Sequence, residues 1–121
     1  MKINTFTITN SREQIIDSSH PIATNKHLTV FHQNIRGLSS KTNELLETIL
    51  PNLPHVICLT EHHLRKQEIE NVSIAHYTLS AKFCRQKLKH GGTSIVVHES
   101  LDFINTDLQS FCNEQDIEIC G

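Results

Sequence analysis

Residues 28–61 read LTVFHQNIRGLSSKTNELLETILPNLPHVICLTE, and this stretch decides the fold. LTVFHQ is rich in β-branched and aromatic residues and ends on polar Gln33 and Asn34, as a strand does on reaching a sheet rim. IRGLSS follows as a turn, with Gly37 free to adopt positive φ. Ser39 or Ser40 is placed to cap a helix through KTNELLETIL. Leu45, Leu46, Ile49 and Leu50 recur at helical spacing and give that helix one apolar face. Pro51 and Pro54 stop it. HVICLT is then a short continuous apolar run, which predicts a strand covered on both faces. Strand, helix, strand is a βαβ crossover, and a crossover brings both strand ends to the same edge of a parallel sheet. Asn34 and Glu61 are therefore predicted to be neighbours at one rim, where ligands of α/β sheets bind.

Working outward, residues 1–26 form a polar leader rich in Ser, Thr and Asn, expected to be flexible, although TFTIT offers a strand. Residues 27–121 form the one domain that this length supports. On the C-terminal side, residues 62–72 are polar with room for one helical turn. HYTLSAKF reads as a strand, CRQKLKHGG as a basic turn closed by two glycines, and TSIVVHES as a strand with an apolar centre. DIEIC alternates acidic and apolar residues, as a half-buried strand would.

The composition excludes several classes. The 121 residues are 37% hydrophobic and 20% charged, which suits a globular chain rather than a disordered one. A net charge of −2 excludes a wholly basic nucleic-acid binder but leaves a local basic face open. The longest uninterrupted apolar run, VICL, is far too short to span a bilayer. The N-terminus lacks an apolar signal-peptide core, so an intracellular protein with reduced cysteines is expected. Cys58, Cys84, Cys112 and Cys120 form no CxxC pair, and neither Cys84/His90 nor Cys112/Cys120 has a zinc-finger spacing.

The chemistry concentrates at the predicted rim. Glu61 and Asn34 offer two hard oxygen ligands, which suit Mg²⁺; a solvated loop Glu and a turn Asn would look the same in sequence. His62 and His63, adjacent in extended backbone, point to opposite sides and would not share one metal. A contact with a phosphate or a neighbouring strand suits them better. Arg85, Lys87, Lys89 and His90 make a basic run beside Gly91 and Gly92, either a solvated turn or a contact to a nucleic-acid backbone. Arg36 and Lys41 add positive charge at the rim. The basic run contains no aromatic residue, so base stacking is not supported.

Taken in order, FHQNIRGLSSKTNELL, HVICLTEHHL, YTLSAKFCR, GGTSIVV and DIEICG resemble the N-terminal half of the endonuclease/exonuclease/phosphatase superfamily. The style of NIRGL and TEHHL looks closest to the apurinic-type endonuclease domain of LINE-like (non-LTR) retrotransposons. The resemblance covers roughly residues 28–121. It implies an α/β (α+β) fold, here a partial two-sheet β-sandwich flanked by helices and truncated. It further implies a Mg²⁺- or Mn²⁺-dependent phosphodiesterase that nicks DNA, with a nuclear location open. By resemblance, Asn34 and Glu61 are catalytic and metal-binding residues, and Tyr77 is a further catalytic candidate near the site. Arg36, Arg85, Lys87 and Lys89 are the expected nucleic-acid-binding residues. Thr93 stands where the family more often has a small apolar residue.

The resemblance also implies what these 121 residues do not contain: a later Asp-x-Asn pair and a Ser-Asp-His segment. Hydrolysis needs a group to align the attacking water and another to meet the developing phosphorane charge. The isolated chain is accordingly expected to be inactive and only marginally stable, with the missing C-terminal half of the same domain as a natural partner. The alternative is a small non-catalytic nucleic-acid-binding or interaction module that reuses the half-fold.

Overall fold

The computed structural model describes residues 4–10 and 26–121. It is a mixed α/β structure built on one five-stranded sheet. The strands are β1 (Asn4–Asn10), β2 (Lys26–Asn34), β3 (Val56–Thr60), β4 (Tyr77–Phe83) and β5 (Thr93–His98). Their order across the sheet is β1-β2-β3-β5-β4. The helices are α1 (Thr42–Ile49) and the single turn α2 (Lys66–Ile69), with a short 3-10 turn at Gln109–Phe111.

The crossover that the sequence predicts is present. β2 and β3 are parallel, with Phe31 opposite Ile57 and Asn34 opposite Thr60, and α1 connects them. β5 adds antiparallel to β3, with Thr93 opposite Thr60, and β4 adds antiparallel to β5 with a register shift between Leu79 and Ala81. At the other edge β1 pairs antiparallel with β2, Asn4 opposite His32. The strand offered by TFTIT thus forms part of the sheet. The rest of the leader, residues 1–3 and 11–25, lies outside the described residues.

One face of the sheet carries the core. Phe31, Ile57, Leu59 and Val96 project from it and pack with Leu45 and Ile49 of α1, Ile69 of α2, and Leu38, Leu64 and Ile74 from the loops. Each such side chain contributes about 1.5–3 kcal/mol on burial. The opposite face is covered in part: Val97 of β5 and Phe83 of β4 are buried on it, while Val56, Cys58 and Thr60 of β3 and Ile95 of β5 are half-buried. A continuous apolar run therefore marks β3 as central without both of its faces being sealed. A single sheet is what the described residues form; a second sheet is not among them.

Two local expectations are corrected. Ser39 and Ser40 do not cap α1. The chain makes a turn first, Lys41 N–H donating to the Leu38 carbonyl (2.9 Å), and Lys41 becomes the N-cap with no side-chain cap bond. Its ammonium instead donates to the carbonyls of Ile35 (2.6 Å) and Arg36 (3.2 Å), tying the helix start to the turn after β2. DIEIC does not join the sheet; an isolated bridge between Asn113 and Ile117 is its nearest approach to strand pairing. The charges of Glu114 and Glu118 give the physical reason, because both carboxylates are engaged by the basic turn 85–92. Among the described residues, no helix is long and apolar enough to cross a membrane.

Candidate functional site

The parallel register carries Asn34 and Glu61 to the carboxyl ends of adjacent strands. Backbone hydrogen bonds extend the pairing past the strands themselves. Ile35 N–H donates to the Thr60 carbonyl (2.9 Å), Gly37 N–H to Glu61 (2.8 Å) and Leu38 N–H to His62 (3.0 Å). On the other side, His63 N–H donates to the Gly91 carbonyl at 2.9 Å. Three segments, 34–38, 60–64 and 90–93, are thereby stitched into one rim. Of nine described residues with left-handed backbone, seven lie here: Arg36, Gly37, Glu61, His63, His90, Gly91 and Gly92. Such conformations cost of order 1 kcal/mol or more in non-glycine residues and persist where surrounding bonds impose them.

Asn34 is exposed, and Glu61 is half-exposed with Arg36 Nε 3.8 Å from its carboxylate. Both carry hard oxygen donors suited to Mg²⁺ or Mn²⁺. Two protein ligands leave most of the coordination sphere to water, which Mg²⁺ tolerates. Among the described residues there is no group of three or more His, Cys, Asp or Glu side chains placed to hold a metal.

The two histidines after Glu61 have opposite environments. His62 is fully buried. Leu64 N–H donates to its Nδ1 (2.9 Å), so the ring proton sits on Nε2, which donates to the Phe83 carbonyl (2.9 Å). Burial holds its pKa below the ordinary value, and the ring is a neutral brace between the rim and β4. Gly92 lies against it: a Cβ there would come within 2.4 Å of His62 Cε1. His63 turns to the surface and stacks on His90, with ring centroids 4.4 Å apart. Partial burial, then the neighbouring His90, lowers its pKa.

The basic turn is held by the residues that follow β5. Glu118 accepts from Arg85 Nε (2.9 Å) and Nη2 (2.7 Å) and from Gly92 N–H (3.1 Å). This bidentate pair is largely buried and pushes the Arg85 pKa up and that of Glu118 down. Glu114 accepts from three successive backbone N–H groups, those of Gln86, Lys87 (3.0 Å) and Leu88 (3.0 Å). These bonds, that from Lys87 first, pull its carboxyl down to about 2.

No protein-family model matches the chain, and no curated protein matches it. Asn34 and Glu61 end adjacent strands at the rim, and Arg36 approaches Glu61 there. Arg85 stands beside it, its guanidinium against Gly91 of the rim. Lys87 and Lys89 are exposed on the adjoining turn. Tyr77 is elsewhere: it pairs with His98 at the opposite end of the sheet, and its hydroxyl donates to the Pro54 carbonyl (2.6 Å). Burial raises its pKa to about 12, and a strand's length separates it from Glu61.

Sequence reasoning missed Glu114 and Glu118. A signal existed: Arg85, Lys87 and Lys89 alternate along the turn, and Glu114, Asp116 and Glu118 alternate with opposite sign.

Proposed function

We propose that this chain carries the metal-holding part of a divalent-metal-dependent DNA endonuclease domain of retrotransposon origin. The observation that carries the reading is the placement of Asn34 and Glu61 on adjacent parallel strand ends, in a rim of left-handed backbone flanked by Arg36 and the basic turn. The site residues are Asn34 and Glu61 as ligands of Mg²⁺ or Mn²⁺. Arg36, Lys87 and Lys89 meet the DNA backbone, while Arg85 shapes the turn through Glu118. A bound divalent ion would polarise a phosphoryl oxygen and stabilise the leaving oxyanion. The half-buried face of Val56, Cys58 and Ile95 suits a second sheet, completing a sandwich.

The residues present suffice to bind an ion but not to align water or discharge the phosphorane. The 121-residue chain therefore binds Mn²⁺ weakly and does not nick DNA. Manganese binding followed by electron paramagnetic resonance tests this. Glu61→Ala is expected to weaken binding at least about 10-fold, and equal binding by the variant refutes the site. Nicking of supercoiled DNA above the Glu61→Ala background refutes the inactivity. The Arg36–Glu61 approach favours a second reading, a non-catalytic nucleic-acid-binding module. DNA binding with no manganese binding at all would select it.

A further inference from the structure

A groove of about 560 Å³ opens between the start of α2 and the end of β4, within the size range of ligand sites. Arg65, Lys66, Lys82 and Arg85 line it together with Gln67 and Gln86, and none of its lining side chains is acidic. The cations are held in place. The Arg65 guanidinium donates to the Arg85 carbonyl (2.6 Å), which fixes it in the groove wall. Lys82 is anchored by Glu70 (2.8 Å) and Arg85 by Glu118, so about two of the four positive charges are balanced within the fold. The amides supply neutral hydrogen-bond donors beside the remaining charge.

We propose that this groove binds the phosphodiester backbone of DNA, extending the track that passes the Asn34–Glu61 rim. Arg85 belongs to both, since it lines the groove and its guanidinium lies against Gly91 of the rim. A fixed guanidinium, an exposed ammonium and three amides, those of Gln67, Gln86 and Gln109, suit phosphates, which are recognised by charge and N–H donors rather than by base identity. The chemistry argues against an apolar or cationic occupant, and no ring lines the groove on which a base would stack. This inference rests on the nuclease-related reading for its choice of DNA as the phosphate source, but the groove needs no metal.

The test is fluorescence anisotropy with a labelled 20-mer duplex in EDTA, across a salt series. Working without divalent metal keeps the groove separate from the rim. Lys66 is exposed at the helix start, and Lys66→Gln should fold normally, as a circular-dichroism melt verifies. Losing one phosphate contact lowers the slope of log K against log[salt] by about 0.9. Between 50 and 200 mM salt, that narrows the wild-type fall in affinity by about 3.5-fold. Lys26→Gln, at the far end of β2 from Asn34, is the charge-matched control and should leave the slope unchanged. Equal slopes for wild type and Lys66→Gln, or equal changes in both variants, overturn the proposal. So does displacement of the duplex by an equal phosphate concentration of dAMP, which would make a free nucleotide the occupant. Failure of manganese binding at Glu61 leaves all of these readouts intact, so the two proposals fail separately.

Discussion

Replacing His62 by Phe isolates what the buried imidazole does for the fold. The ring volume is nearly kept, so little cavity forms, and the change falls chiefly on two hydrogen bonds, beside a longer contact of Cys84 Sγ with Nε2 (3.9 Å). Leu64 N–H and the Phe83 carbonyl, each 2.9 Å from a ring nitrogen, lose their partner at a fully buried position. Leaving one buried polar group unmet costs about 1–3 kcal/mol, so the pair costs about 2–6 kcal/mol. A domain of this length has a total stability of about 6–18 kcal/mol. His62→Phe should therefore remove a large fraction of the stability, visible as a marked fall in the urea midpoint with the slope m unchanged. His63→Phe is the internal contrast. That ring is partly exposed and stacks on His90, a role that Phe can share, so a change below about 0.5 kcal/mol is expected. Nitrogen-15 chemical shifts of the wild type should show the proton of His62 on Nε2. Equal, small losses for both variants, or a proton on Nδ1, would refute the account of His62 as a brace.

Two further outcomes follow from the same geometry. Gly92→Ala adds a Cβ within 2.4 Å of the His62 ring at φ +87°, so it should destabilise by at least about 2 kcal/mol in urea, about half of it backbone cost; near-neutrality would mean that the ring is not seated there. Glu114 has its folded pKa lowered to about 2 from an ordinary value of 4.5, so its contribution is complete above pH 4.5 and is lost as the pH falls toward 2. The amide resonances of Gln86, Lys87 and Leu88 should shift together with a midpoint near pH 2, and Glu114→Gln should abolish that transition.

The sequence made the centre of the molecule legible because local signals agree there. A β-rich run, a glycine turn, a 3.6-residue apolar period and a second β-rich run all point to one crossover, and the observed register puts Asn34 opposite Thr60. The turn around Gly91 and Gly92 was equally legible, since two consecutive glycines after a basic run mark left-handed backbone. DIEIC misled because alternation reports that alternate side chains share a side, not what lies on that side. Here Glu114 and Glu118 face a basic turn instead of solvent, and the alternation belongs to an electrostatic strap. Ser39 and Ser40 misled for a related reason: Lys41 reaches back to two carbonyls and fixes the helix start without a hydroxyl cap. Tyr77 could not be placed by resemblance alone, because its strand runs antiparallel to β5, which puts its first residue at the far end of the sheet.

The rim's own ion pair bears on whether Glu61 is free to take a metal. Arg36 Nε lies 3.8 Å from the carboxylate, and the two side chains are 78% and 44% exposed. An exposed pair of this kind contributes about 0–1 kcal/mol and is screened by salt. The buried Arg85–Glu118 pair is of another kind: two short bonds at 15% and 14% exposure commit both partners. The chain thus spends one arginine on architecture and leaves the other as a displaceable counter-ion. A divalent cation held by Glu61 would carry twice the charge of the guanidinium and would meet the carboxylate oxygen directly. It would displace Arg36 rather than be excluded by it, and the freed guanidinium would remain at the rim to meet a phosphate, which it recognises bidentately.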